Sequence, residues 1–206
     1  MEHIKNVIFD LGGVIMNLNF NKTFEAFKKL SGKDFSAIFS KSSQFDFVSD
    51  YEIGKISSAL FRDKIREVLE IEVADKEIDH AWNAMLLDFP TQNLEYVKKV
   101  NRQKRTFILS NTNEIHKKEA ENILAKSHQN LKWEDLAEKA YFSHIMGDRK
   151  PNESIFETLL EENNLKPQET LFIDDSPQHI VGAKKVGIQT IHLTDSKSII
   201  DLEIIK

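Results

Sequence analysis

Short apolar runs recur along the chain, and the stretches between them carry apolar residues at helical spacing. The runs are Lys5–Asp10 with its centre at Val7-Ile8-Phe9, then Thr106–Leu109, Tyr141–Ile145, Thr170–Ile173 and Gln189–Leu193. Runs this short, with β-branched members and turn residues on their flanks, predict strands buried on both faces. Between them, Leu94, Val97 and Val100 follow Thr91, a residue able to cap a helix. A helix is predicted over 114–125, and a second short one holding Trp133 within 126–139. Ile155, Phe156, Leu159 and Leu160 form the apolar face of a helix that Pro151 can open. Another runs from Pro177 to Val186 and stops at Gly187, a good residue for leaving a helix. Residues 197–206 read as a terminal helix or a tail.

The stretch after the first strand reads differently. Val14–Phe20 is a short hairpin or an irregular flap. Phe20, Phe24 and Phe27 then recur at helical spacing. So do Phe61, Ile65, Val68 and Leu69 behind the capping candidate Ser57, and Ile78, Trp82, Met85 and Phe89 behind Asp75. No parallel strand is readable there. The 40–54 stretch interrupts the pattern and is the part expected to face a substrate. The prediction is an α/β protein: a Rossmann-like open parallel sheet of about five strands with helices on both faces. This core spans 1–16 and 90–206, with an all-helical insert over 17–89.

Composition narrows the class. Of 206 residues, 40% are hydrophobic and 30% charged, an ordinary globular balance. Cysteine is absent, which excludes disulfides and thiolate metal sites. The seven histidines are scattered, without the i,i+4 pair of a zinc-binding helix. A net charge of −5 argues against a nucleic-acid partner. No apolar run is long enough to span a membrane, and the first residues lack a signal-peptide pattern. A soluble cytoplasmic protein fits. The sequence carries no signal of oligomeric state.

Right-handed crossovers would gather the carboxyl ends of the strands along one edge. Asp10, Ser110 and Asp174-Asp175 lie at strand ends, and Lys150 one loop beyond. Singly, each has a plain structural explanation: a turn cap, a strand-end turn, a solvated lysine, a helix cap. Together, several carboxylates at one edge are tolerable when a hard cation sits between them, and Mg²⁺ suits carboxylates, a carbonyl and waters. Lys150 adds positive charge, and Ser110 with nearby backbone N–H groups can bond an anion's oxygens. This describes a phosphoryl-transfer site in which Asp10 attacks phosphorus and water cleaves the aspartyl-phosphate.

FDLGGV at 9–14, ILSN at 108–111, Lys150-Pro151 and FIDDS at 172–176 together resemble the four motifs of the haloacid dehalogenase superfamily, subfamily I, with a helical cap after the first strand. The motifs fall in the right order and span nearly the whole chain. FDLGG, SNTNEIH at 110–116 and AWNAML at 81–86 resemble the branch with bacterial sugar-1-phosphate phosphatases and the amino-terminal domain of soluble epoxide hydrolase. The resemblance implies a phosphatase that uses Mg²⁺ and takes a small phosphorylated metabolite, with a sugar phosphate as one candidate. It implies that Asp10 is the nucleophile and a metal ligand, and that the Gly12 carbonyl is another ligand. Of Asp174 and Asp175, one binds metal directly and the other through water, and position favours Asp175 as the direct one. Ser110 and Asn111 resemble the phosphate contacts, and Lys150 the residue that screens nucleophile and phosphate.

One departure matters. Most phosphatases of the superfamily carry a second aspartate two residues after the nucleophile, as general acid and base. Here that residue is Gly12. Its carbonyl can still bind metal, but leaving-group protonation loses its usual donor. Two alternatives follow: a 2-haloacid dehalogenase, which also lacks that aspartate, and a catalytically weak relative that binds a phosphorylated ligand or a partner protein. The paired Asp174-Asp175 argues against the first, and retention of Asp10 and Lys150 against the second.

Overall fold

The structure, a computed structural model, describes residue 1 and residues 3–33, 46–194 and 197–205. Five parallel strands form one sheet: β1 (Asn6–Phe9), β2 (Arg105–Ser110), β3 (Lys139–Phe142), β4 (Thr170–Asp174) and β5 (Gln189–His192), in the order β3-β2-β1-β4-β5. β1 is central and all four of its residues are buried. Its register pairs Ile8 with Phe107 on one side and Phe172 on the other. Successive side chains point to opposite faces. Val7 and Phe9 therefore enter one core with Ile108, Leu171 and Ile173, while Ile8 enters the other with Phe107, Leu109 and Phe172.

The helices among the described residues are α1 (Phe20–Ser31), α2 (Asp46–Glu52), α3 (Ser58–Leu69), α4 (Asp75–Asn83), α5 (Thr91–Asn101), α6 (Glu114–Ser127), α7 (Ser143–Met146), α8 (Glu153–Glu162) and α9 (Pro177–Lys185). α5 and α6 cover the first face through Leu94, Val97, Val100, Ala120 and Leu124. α8 and α9 cover the second through Ile155, Phe156, Leu159, Ile180 and Ala183. Each fully buried side chain of this size contributes roughly 1.5–3 kcal/mol.

α1 to α4 share a third apolar cluster, with Phe27, Tyr51, Phe61, Ile65 and Trp82 at its centre. Ile115 of α6 joins it from the sheet side. The chain enters and leaves this unit through a narrow neck. Leu18 pairs with Leu86 in an antiparallel bridge, and Asn17 N–H donates to the Asp88 carbonyl at 2.9 Å.

Several local expectations shift. The Tyr141–Ile145 strand stops at Phe142, because its partner β2 ends at Ser110, the residue Phe142 pairs with. Ser143–Met146 turns into α7 instead. Ser57 caps α3 as expected, its Oγ accepting from Leu60 N–H at 3.2 Å. Asp75 and Thr91 are first helical residues rather than caps. At α4 the Glu77 carboxylate accepts from Ala74 N–H at 3.0 Å, and Asp75 is drawn to Arg66 and Arg62. Pro151 precedes α8 rather than opening it, since the Lys150 backbone is bonded on both sides to Asn111. The short helix around Trp133 is a 3-10 turn, Trp133–Asp135, and the terminal stretch another, Ile199–Asp201. Of Val14–Phe20, the part before Phe20 is an irregular flap whose Ile15 and Met16 N–H groups donate to the Leu11 carbonyl, and Phe20 already opens α1.

Candidate active site

β1 ends at Phe9, and Asp10 follows at the carboxyl edge of the sheet, its N–H bonded to the Ile173 carbonyl at 2.9 Å. Here the sheet's order reverses direction around β1, the place where open α/β sheets form a crevice. A cavity of about 720 Å³ opens there, between the sheet edge and α1, α2 and α4, lined by Asp10, Gly12, Ser110, Asn111, Arg149 and Asp175 among others. A larger open groove, about 1010 Å³, lies at the opposite edge. Charged side chains there pair with one another, as in Lys5–Glu169 and Arg105–Glu138.

Beneath the cavity lies Lys150, a fully buried lysine. Its Nζ is 2.8 Å from Asp10 Oδ1 and 2.7 Å from Asp174 Oδ2, and it donates to the Leu109 carbonyl at 2.9 Å. Burial acts against its charge, but the two carboxylates more than offset this and hold its pKa above the ordinary lysine value. Burial pushes the Asp10 carboxyl up to about 7, with Lys150 opposing and the Asp174 charge adding to the rise. Asp174 is also opposed by burial, yet Lys150 and His179 hold it well below the usual carboxylate range. Both described contacts of the Asp10 side chain, Lys150 and Leu11 N–H, fall on Oδ1. Oδ2 is left for the cavity.

Asp10, Asp174 and His179 bring potential ligand atoms within 4.8 Å of one another. The Asp174 oxygens, however, are taken. Oδ1 accepts from Ser176 N–H at 2.7 Å and from His179 Nδ1 at 3.0 Å, while Oδ2 accepts from Lys150. A cation there would sit against an ammonium group. Asp175 differs. Its carboxylate lies over the Gly13 backbone, so close that a Cβ at Gly13 would fall 2.1 Å from Oδ2. Gly13 has φ 76°, which also favours glycine. Burial raises the Asp175 carboxyl, and the charge of Asp174 adds to it. The Gly12 carbonyl accepts none of the hydrogen bonds that fold this loop. Asp10, Gly12 and Asp175 all line the cavity, and two carboxylates with a carbonyl are donors of the kind that suit Mg²⁺.

Ser110 is buried at the end of β2 and reaches the cavity wall. Asn111 also lines the cavity, but its side-chain amide is engaged. Nδ2 donates to the Lys150 carbonyl at 2.8 Å and Oδ1 accepts from Lys150 N–H at 2.9 Å. Asn111 thus fixes the peptide that carries Lys150. At position 12 a Cβ would meet Leu18 Cδ1 at 2.5 Å, so an acid there requires that side chain to move. Sequence reasoning passed over Arg149 and Glu52, which pair at 2.7 Å across the cavity wall, and treated His179 as a helix residue. Its spacing, five positions after Asp174 and at the first turn of α9, is a signal that could have revealed it. Of the 40–54 stretch, Ser40–Phe45 lies outside the described residues, while Glu52 reaches the cavity.

A neutral histidine joins the insert to the core. His116 is buried, stacks on Trp82 with centroids 4.8 Å apart, and donates from Nε2 to the Trp82 carbonyl at 3.0 Å. Nδ1 then accepts from Asn113 Nδ2 at 3.2 Å. Burial drives its pKa down to about 4.

Known proteins resemble this chain in sequence and fold. The haloacid dehalogenase-like hydrolase family matches residues 4–187. The chain is 30% identical over 187 residues to D-ribitol-5-phosphate phosphatase of Bacteroides thetaiotaomicron, covering 91% of this chain and 90% of that one. A crystal structure of an HAD family enzyme from Bacteroides thetaiotaomicron, in complex with magnesium and inorganic phosphate, superposes with a TM-score of 0.85. It is 38% identical, with 95% of this chain and 97% of that chain covered. L-2-haloacid dehalogenase of Xanthobacter autotrophicus shares the fold alone, at 15% identity and a TM-score of 0.61, over 94% of this chain and 80% of that one. With its family match spanning most of its length and its site built on the ends of parallel strands, the chain belongs to the haloacid dehalogenase-like hydrolases.

Proposed function

We propose that this protein is a Mg²⁺-dependent phosphatase that hydrolyses a small phosphorylated metabolite through an aspartyl-phosphate on Asp10. The observation that carries this reading is the buried Lys150 ammonium between Asp10 and Asp174, at the base of a cavity sized for a small ester. Asp10 Oδ2 attacks phosphorus, the bond to the alcohol oxygen breaks, and water then cleaves the aspartyl-phosphate to release inorganic phosphate. Lys150, the Ser110 hydroxyl and nearby backbone N–H groups stabilise charge on the phosphoryl oxygens. Asp10, the Gly12 carbonyl and Asp175 would hold Mg²⁺, which when bound supplies positive charge to the phosphoryl group and keeps Asp10 ionised. Asp174 acts one step removed, by holding Lys150 and His179. In the same reading, residues 17–89 serve as a cap over a catalytic core of 1–16 and 90–206, and the enzyme works in the cytoplasm. The relative's name makes an alditol phosphate a candidate substrate beside sugar phosphates.

The test is phosphate release from aryl, sugar and alditol phosphates, with Mg²⁺ and with excess chelator. Release should require Mg²⁺ and disappear in Asp10→Asn, with the thermal melt retained. Full activity in excess chelator would refute the site assignment.

A further inference from the structure

Among the described residues, the insert contributes Asn17, Leu18, Phe20, Trp82, Met85 and Leu86 to the cavity, and one charged side chain, Glu52. Glu52 ends α2, and its carbonyl accepts from Ser143 Oγ at 2.6 Å, which ties this point of the insert to the core. The side chain is only 22% exposed. Arg149 Nη1 stands 2.7 Å from Oε2, yet that oxygen is buried and receives no aligned hydrogen bond. Arg149 itself donates to Ser49 Oγ at 3.2 Å. Burial pushes the Glu52 carboxyl up, while Arg149 and then His179 draw it down.

A phosphate ester in this cavity is held by its phosphoryl end at the Asp10–Lys150 edge, so its alcohol portion faces the insert. Oε2 faces Arg149, and the partly exposed remainder of the carboxylate lines the cavity, where a carboxylate attracts hydroxyl donors through charge-assisted bonds and repels a second anion. Resting on the phosphatase reading above, we propose that Glu52, braced by Arg149, determines specificity by receiving hydroxyl groups of a neutral polyol phosphate and rejecting phosphate esters whose alcohol portion carries a carboxylate. Glu52→Gln would remove the repulsion and also release Arg149 to pair with that carboxylate.

The experiment compares kcat/KM for ribitol 5-phosphate and for 2-phosphoglycolate, both primary alkyl esters, with 4-nitrophenyl phosphate as a monitor of the core chemistry. Wild type should prefer the polyol ester. Glu52→Gln should lower the polyol-to-carboxylate ratio by about 10–100-fold, the span of a bond to a charged group. Glu52→Asp should lower it less. Arg149→Met breaks the same ion pair but keeps the carboxylate, so it should keep rejecting phosphoglycolate, which a mere tether between insert and core would not explain. Thermal melts check folding of each variant. An unchanged ratio in folded Glu52→Gln, or the same shift in Arg149→Met, overturns the assignment. So does a wild type whose kcat/KM for ribitol 5-phosphate does not exceed that for phosphoglycolate. Absence of Mg²⁺-dependent release from every ester would instead remove the phosphatase reading itself.

Discussion

Gly12→Asp would place a carboxylic acid where most phosphatases of this superfamily carry one. The backbone can accept it, since Gly13 and not Gly12 has the positive φ. The obstacle is Leu18, whose Cδ1 would lie 2.5 Å from the new Cβ. Leu18 is the far end of a flexible, half-buried side chain, so rotation relieves the clash at an overpacking cost of about 1–3 kcal/mol. Leu18→Val as a companion substitution should recover most of that. The gain lies in leaving-group protonation, for which a positioned acid contributes ~10²–10⁴-fold, or roughly 3–5 kcal/mol of barrier. Wild type should therefore favour esters whose alcohol departs easily as an anion, such as aryl, acyl and anomeric phosphates, over simple primary alkyl ones. It should also hold a long-lived aspartyl-phosphate, because no group at position 12 takes the proton of the attacking water. The assay is kcat for a series of alkyl and aryl phosphates in saturating Mg²⁺, with melts run first. The double variant should gain most on alkyl esters and least on aryl ones. A folded variant with unchanged leaving-group preference would show that the proton comes from elsewhere, and the reasoning would fail.

Three further outcomes are expected. Lys150→Met leaves two carboxylates buried beside each other and should cost about 3–5 kcal/mol in urea unfolding without Mg²⁺; a loss under about 1 kcal/mol would contradict this. Asp175→Asn should raise the Mg²⁺ concentration for half-maximal activity by more than the ~10–100-fold typical of an outer-sphere partner, and Asp174→Asn by no more than that. The reverse order would exchange their roles. His116 titrates near 4 when folded against an ordinary value near 6.5, so the folded state binds fewer protons between these values. Stability from this group is complete above pH 6.5 and falls by up to about 3 kcal/mol as pH drops towards 4. His116→Gln should flatten that part of the stability–pH curve.

The sheet was legible because each strand is a short apolar run with polar residues at its end, and the same rule pointed to Asp10, Ser110 and Asp174. Lys150 was legible only as a member of a motif set, since its burial depends on partners 140 and 24 positions away in a fold not yet known. Asn111 was legible as a strand-end polar residue, but not in what its side chain does, because it bonds a peptide 39 positions downstream. Glu52–Arg149 was invisible for the same reason. Boundaries missed where a neighbour decided them: no periodicity in Tyr141–Ile145 reveals that β2 ends opposite Phe142.

The neck between Asn17 and Asp88 has a kinetic consequence. β1 must find β2, and then β4, whose Thr170 bonds Asn6 across 164 positions of sequence. Separations of this kind slow folding, because loop entropy is lost before the strand pairing returns it. The hydrogen bonds of the neck bring the two ends of the intervening helices side by side. Once they form, the loop closing β1 onto β2 shortens from about a hundred residues to about thirty, saving about 1 kcal/mol of closure entropy. A helical unit with local contacts and its own apolar cluster is suited to form early. Its assembly would then speed pairing of the central strand, so destabilising substitutions at Leu18 or Leu86 should slow refolding beyond their effect on the rate of unfolding.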